Sequence, residues 1–155
     1  MKPSLHELDR YRRRSKMKSW KTKIEIHAPI QTVWETLIDF TNASKWNPNV
    51  SSSTILTPMP VDKGTRVEVK SGGRQTYLTI TEFKPNNFLS ANVEMGKTIG
   101  TSEFFLQSVD NSTILEHTIH LELKGIARLF SIFIAGSLKK EFQAMRAWTE
   151  TKKKN

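Results

Sequence analysis

Apolar positions near the start of the chain follow first the period of a strand and then that of a helix. Residues 21–27 alternate between polar and apolar side chains, which predicts a β-strand. A helix is predicted after Pro29, where apolar residues recur at helical spacing and form one stripe: Ile30, Val33, Trp34, Leu37 and Ile38. A second short helix is predicted for residues 42–46, because Asn47 precedes a proline and therefore avoids helical geometry.

Six further segments have the composition and the bounding turn residues typical of strands. They are residues 51–56, 65–70, 75–83, 88–95, 98–109 and 113–123. Short connections join them, which favours antiparallel hairpins over parallel crossovers. A long helix is predicted for residues 126–152. The pattern therefore predicts an α+β fold, in which a seven-stranded curved antiparallel sheet wraps around the long C-terminal helix and leaves space between them.

Composition is that of one globular domain. The chain has 155 residues, of which 37% are hydrophobic and 25% charged. Because there is no cysteine, disulfides, thiol catalysis and cysteine-ligated metal sites are excluded. The longest nearly apolar segment, residues 126–138, contains Arg128 and is too short to span a bilayer. The N-terminus has no apolar signal core, and we therefore expect a cytoplasmic protein.

The net charge of +9 lies in the two ends of the chain. Residues 1–23 contribute +7 and residues 152–154 contribute +3, whereas residues 24–151 sum to −1. We expect a basic N-terminal extension over residues 1–18 and one ligand-binding domain over residues 19–152. The extension is interpreted as a solvated tail, with weak contact to an anionic surface as the alternative. The folded body has no basic stripe interleaved with aromatic residues, so no nucleic acid is expected to bind it.

Four short motifs occur in a distinctive order. The segment IEIHAPIQTVWETLIDFTNASKWNPNV combines a strand, Ala-Pro, a helix with an internal tryptophan and a Trp…Pro loop. Gly64-Thr65 precedes a strand, ITEFKPNNFL contains a strand and a proline turn, and Gly125 precedes the last helix. Together they resemble the START-like (SRPBCC, helix-grip) superfamily, and within it the polyketide cyclase/dehydrase-like group, over residues 20–148. The resemblance implies a cavity between sheet and helix that holds lipids, hormones or polyketides, with or without catalysis.

A few residues interrupt the apolar pattern of the predicted inner faces. His117 is the one titratable side chain that alternation places inward, so it is either a hydrogen-bonded core histidine or a group that orients or protonates a ligand. Gly100 and Ser102 lie on the concave face of one strand, and Gly136 and Ser137 lie within the long helix. These small residues indicate either close packing of helix on sheet or room for a ligand.

No metal or other cofactor is expected. The remaining histidines, His6, His27 and His120, lack the spacing of metal ligands. Gly96-Lys97-Thr98 is similar to the end of a phosphate loop, but Ala91 stands where that loop needs glycine.

The leading hypothesis is non-catalytic binding or transport of a small hydrophobic or amphipathic molecule. One alternative is a polyketide cyclase/dehydratase-like enzyme that uses His117 or Tyr77 as an acid or base. Another is an interaction module whose basic arm binds RNA, anionic lipid or a protein. Trp46 is the candidate gate residue. The residues expected to contact the ligand are Trp34, Trp46, Val67, Val69, Tyr77, Ala91, Val93, Gly100, Ser102, Phe104, His117, Ile119, Leu129, Phe133 and Ser137.

Overall fold

Seven antiparallel strands and a long helix account for most of the described chain. The computed structural model describes residues 2, 4–7, 9–10, 17–123 and 131–153. The strands are β1 (Lys18–Ile26), β2 (Ser52–Ile55), β3 (Arg66–Ser71), β4 (Arg74–Lys84), β5 (Phe88–Met95), β6 (Thr98–Val109) and β7 (Ser112–Glu122). The helices are α1 (Ile30–Ile38), α2 (Ala43–Trp46) and α3 (Ser131–Lys153), with a 3₁₀ turn at Phe40–Asn42 between α1 and α2.

The strands form one sheet in the order β1-β7-β6-β5-β4-β3-β2, and every neighbouring pair is antiparallel. Strands β2 to β7 follow one another as hairpins, while β1 pairs with β7, the last strand of the chain. The predicted α+β architecture is confirmed. The predicted bounds of β5 and β6 coincide with the observed ones, whereas β1 begins at Lys18, three residues before the predicted start.

The turn between β3 and β4 shows how local sequence sets the register of the sheet. Ser71 pairs with Arg74, so only Gly72 and Gly73 lie in the loop. Both glycines have positive φ, +54° and +77°, as a two-residue type I′ turn requires. This register places Val67 opposite Leu78 and Val69 opposite Thr76, and alternation puts these four residues on one face of the sheet.

Two hydrogen bonds join helix α3 to the N-terminal third of the chain. The backbone N–H of His27 donates to Glu150 Oε1 at 3.0 Å, and Asn49 Nδ2 donates to the Ser137 carbonyl at 3.0 Å. The predicted start of this helix falls in residues 124–130, which lie outside the described residues. Among the residues described, no helix is long and apolar enough to cross a membrane.

The basic N-terminal extension is described only in part. Residues 5–7 and 9–10 are helical, and Ser4 caps the segment: Ser4 Oγ accepts from the N–H of Glu7 at 3.2 Å, and the Glu7 carboxylate accepts from the N–H of Ser4 at 2.8 Å. Residues 8 and 11–16 lie outside the described residues, so the anionic contact expected of this arm stays a prediction from the sequence.

Candidate functional site

A cavity of about 280 Å³ lies between the concave face of the sheet and the helices. Buried core side chains form two separate clusters, one around α1 and one at Val93, Leu121 and Leu123. Both clusters contribute to the cavity wall: Leu89 and Phe142 from the first, and Val93 and Leu121 from the second. The apolar interior is therefore divided, and the space between its two parts is not filled by side chains of the described chain.

The cavity wall is mostly apolar but contains a limited set of polar side chains. The polar or charged lining residues are Asp39, Asn47, Asn49, Ser53, Ser71, Thr76, Ser102, His117 and Glu141. Apolar surface favours an apolar ligand, and a few fixed polar groups determine its orientation, which is the general arrangement of small-molecule sites.

His117 is held rigidly in the wall by its neighbours on the sheet. The residue is 4% exposed, and its Nε2 lies 2.7 Å from Ser102 Oγ, so one of the two atoms donates a hydrogen bond to the other. Its ring stacks on that of Phe104, which lies directly opposite on β6, with centroids 4.1 Å apart and planes at 7°. Phe142 of α3 contacts the ring at a centroid distance of 5.7 Å. The imidazole thus has a fixed orientation.

Burial also sets the protonation state of this imidazole. Desolvation disfavours the charged form and lowers the pKa of His117 from 6.5 to about 4. The ring is therefore neutral at neutral pH. Since Nε2 is bonded to Ser102, the tautomer determines whether Nδ1 is a donor or an acceptor.

Glu141 is a functional candidate that our reading of the sequence missed. The side chain lies on α3 and lines the cavity, and the Asn47 side chain forms a hydrogen bond with it. Asn47 Oδ1 accepts from the backbone N–H of Asn49 at 2.9 Å, which leaves the Asn47 amide group to donate to the carboxylate. Burial raises the pKa of Glu141 from 4.5 to about 7, and the hydrogen bond from Asn47 acts in the opposite direction.

A signal for Glu141 was present in the sequence. Leu138, Glu141, Phe142 and Met145 stand at positions i, i+3, i+4 and i+7, which share one face of a helix. A carboxylate within an otherwise apolar stripe indicates either a satisfied buried acid or a site. The four residues do line the cavity together.

Three lining residues carry buried polar atoms that have no hydrogen-bond partner within the described part of the chain. These atoms are Trp46 Nε1, Ser53 Oγ and His117 Nδ1. A buried polar atom without a partner costs about 1–3 kcal/mol, and most such atoms in proteins are satisfied by protein, water or ligand. The cavity therefore has unused hydrogen-bonding capacity on α2, β2 and β7.

The structure places seven of the residues expected to contact a ligand on the cavity wall. They are Trp46, Val69, Val93, Ser102, Phe104, His117 and Ile119. Val67 and Ala91 are buried but do not line the cavity. Trp34 does not line it either, because its ring packs edge-on against Phe83 at 5.2 Å in the core around α1. Leu129 lies outside the described residues.

Tyr77, Phe133 and Ser137 are found away from the cavity. Tyr77 lies on the opposite face of β4, where the Arg66 guanidinium covers its ring at 4.7 Å from the centroid. Phe133 is 64% exposed, because α3 turns this position away from the sheet. Ser137 is also exposed, and its carbonyl accepts the hydrogen bond from Asn49 described above. Tyr77 is consequently not placed to act on a molecule in the cavity.

The two glycines singled out in the sequence have different surroundings. A Cβ at Gly100 would overlap the backbone carbonyl oxygen of His120, and it would approach Leu121 Cδ2 at 2.9 Å. Gly100 therefore serves close packing of β6 against β7 and is not part of the cavity wall. Gly136 is exposed and does not line the cavity, and a Cβ added there would meet no atom of the described residues within 4 Å, so neither expectation accounts for this glycine.

The curved sheet, the long helix and the enclosed space define a START-like helix-grip domain. The chain belongs to the family described as polyketide cyclase / dehydrase and lipid transport, which matches residues 17–150. Among curated proteins, none is similar enough in sequence to match it. Within the described residues, no three His, Asp or Glu side chains are grouped so that they could hold a metal ion.

Solved structures share this fold at low sequence identity. A START superfamily protein from Mycobacterium smegmatis is 14% identical, with a TM-score of 0.73 over 86% of this chain and 97% of that chain. Ara h 8.0201 is 12% identical, with a TM-score of 0.70 over 87% and 99%. A conserved protein from Geobacillus kaustophilus is 17% identical, with a TM-score of 0.70 over 86% and 96%. These likenesses establish the fold.

Proposed function

We propose that the protein binds a small hydrophobic or amphipathic molecule in the cavity between the sheet and α3. The observation that carries this proposal is the unfilled space itself: about 280 Å³ with a mostly apolar wall that also holds unpartnered polar atoms. The volume is close to the lower end of the roughly 300–1,000 Å³ typical of ligand cavities. A guest of about the size of a medium-length alkyl chain or a small ring system suits it. The family's description, which includes lipid transport, supports the same class of ligand.

Polar contacts are needed for useful affinity in a cavity of this size. A guest that buries roughly 300 Å² of apolar surface gains about 7 kcal/mol from transfer out of water. Association costs of at least about 4 kcal/mol offset much of that gain, which leaves an affinity only in the millimolar range. Each hydrogen bond to Trp46 Nε1, Ser53 Oγ or His117 Nδ1 would add about 1 kcal/mol. These atoms are therefore expected to select the ligand.

Native mass spectrometry of the freshly purified protein tests this proposal. A bound small molecule is expected, and Ala43→Phe, which adds a ring to the cavity wall at α2, is expected to lose it. Ala147→Phe, at an exposed position of α3, is the matched control and should keep it. Titration with decanol should change the fluorescence of Trp46, and Trp46→Phe should abolish the change. A protein without any adduct whose fluorescence does not respond to decanol would contradict the proposal.

Acid–base catalysis on the bound molecule is the second candidate, and Glu141 is the observation that favours it. Two cavity groups have pKa values moved in opposite directions, His117 to about 4 and Glu141 to about 7. A group with a pKa near 7 is suited to take up and release a proton at neutral pH. Acid–base catalysis predicts that the wild type converts a bound substrate over time, either to an isomer of the same mass or with loss of water, and that Glu141→Gln retains the substrate unchanged; chromatography with mass spectrometry of the extracted ligand detects both products. Equal conversion by both proteins would refute a role for Glu141.

A further inference from the structure

The described side chains that line the cavity include two carboxylates and no basic group apart from a neutral histidine. Among the described residues that line it, the ionisable side chains are Asp39, Glu141 and His117, and there is no lysine or arginine. Asp39 already accepts hydrogen bonds from Thr41 Oγ1 at 2.9 Å and from Asn42 Nδ2 at 2.7 Å. Its carboxylate is therefore stabilised by neutral donors, and no described residue forms an ion pair with it.

Glu141 on α3 contributes the second acidic group of the cavity wall. Its described hydrogen-bond partner is the neutral amide of Asn47, so its charge is solvated in part but not cancelled. His117 cannot offset this charge near neutral pH, because burial keeps the imidazole uncharged. The electrostatic potential inside the cavity is consequently negative when Glu141 is ionised.

We infer that the cavity selects its ligand by charge, taking guests whose polar end is neutral or cationic and excluding carboxylates of the same size. This inference rests on the proposed function and names the class of ligand within it. A carboxylate in the cavity would lose its hydration next to Glu141 and Asp39, and none of the described lining residues is a lysine or arginine that could replace it. An alcohol or a carbonyl can use Trp46 Nε1, Ser53 Oγ or His117 Nδ1. A protonated amine gains, in addition, a charge-assisted hydrogen bond to a wall carboxylate.

A series of three ligands with the same alkyl chain tests this inference: decylamine, decanol and decanoate. Affinities are measured from Trp46 fluorescence and by isothermal titration calorimetry at about pH 8, above the pKa of about 7 of Glu141. In the wild type, decanoate is expected to bind at least about tenfold more weakly than decanol, since two like charges within contact distance repel even at an effective dielectric constant near 20. Decylamine is expected to bind at least as tightly as decanol.

Glu141→Gln supplies the discriminating measurement. The substitution keeps the size of the side chain but removes its charge, so the affinity for decanoate should rise, and that for decylamine should fall, when each is compared with the affinity of the same protein for decanol. A general change in packing would move all three affinities in one direction. Glu35→Gln, at an exposed position of α1 outside the cavity, is the matched control and should leave the three affinities as in the wild type.

The possible failures are distinguishable. Decanoate that binds the wild type as tightly as decanol would overturn the charge selection and leave the proposed ligand-binding function in place. An amine-to-carboxylate ratio that is the same in the wild type and Glu141→Gln would also overturn it. If none of the three molecules binds, the proposed function fails together with this inference.

Discussion

Glu141→Gln is expected to change how the stability of the protein depends on pH. In the folded protein, burial raises the pKa of Glu141 from 4.5 to about 7. The folded state therefore holds a proton more tightly than the unfolded chain does. This group contributes stability that is fully present below about pH 4.5 and is lost as the pH rises through about 7. At 1.36 kcal/mol per pKa unit, the contribution is up to about 3 kcal/mol. The amide of the Glu141→Gln variant does not titrate, so the variant lacks this contribution.

The measurement is urea denaturation of the wild type and the variant at several pH values between about 5 and 8. The difference in the free energy of unfolding, variant minus wild type, should increase by about 2–3 kcal/mol across this range, because only the wild type becomes destabilised as the carboxyl ionises. Comparing the two proteins at each pH cancels all other titrating groups. Glu35→Gln is the control for loss of one exposed carboxylate and should differ from the wild type by less than about 0.5 kcal/mol. A difference for Glu141→Gln that does not vary with pH would refute the reasoning.

Further predictions concern His117 and the two glycines. Because burial lowers the pKa of His117 from 6.5 to about 4, its contribution to stability is present above about pH 6.5 and is lost as the pH falls toward 4. His117→Gln should therefore become more stable relative to the wild type by about 2–3 kcal/mol between pH 7 and pH 4.5, and urea titrations with no such trend would contradict this. Gly100→Ala should lower the free energy of unfolding by about 1–3 kcal/mol, since its Cβ overlaps the His120 carbonyl oxygen. Gly136→Ala adds a methyl group that meets no described atom within 4 Å at an exposed helical position, so it should raise the free energy of unfolding by about 1 kcal/mol. Thermal unfolding that ranks these two variants the other way would refute both assignments.

The elements of the fold could be predicted from the sequence because their signals are local. The period of two identified the strands, and the period of 3.6 identified α1. It did not identify the inward face of α3, where Phe133 and Ser137 were expected to contact the ligand but are exposed. Turn residues such as Gly72 and Gly73 fixed the register of a hairpin within a few residues. The same alternation placed Ser102, Phe104 and His117 on the inner face of the sheet, where all three line the cavity.

Which residues line the cavity could be predicted only in part. Alternation assigns a face but not a distance from α3, so Val67 and Ala91 share the inner face with Val69 and Val93 yet do not reach the cavity. Tyr77 was expected in the cavity although the sequence carried a signal against it. Its neighbours on β4, Thr76 and Leu78, line the cavity, so alternation places Tyr77 on the other face of the sheet.

The sequence by itself determined that the chain is α+β, that one face of an antiparallel sheet is apolar, and that a helix covers that face. Only the tertiary structure decided that the core divides into two clusters with a cavity between them. It also decided that Glu141 meets Asn47 there, and that His117 is neutral and bonded to Ser102. The physical reason is that propensity and alternation act over a few neighbouring residues. Cavity volume, desolvation and pKa values, in contrast, depend on how closely side chains that are far apart in the chain pack together in the folded protein.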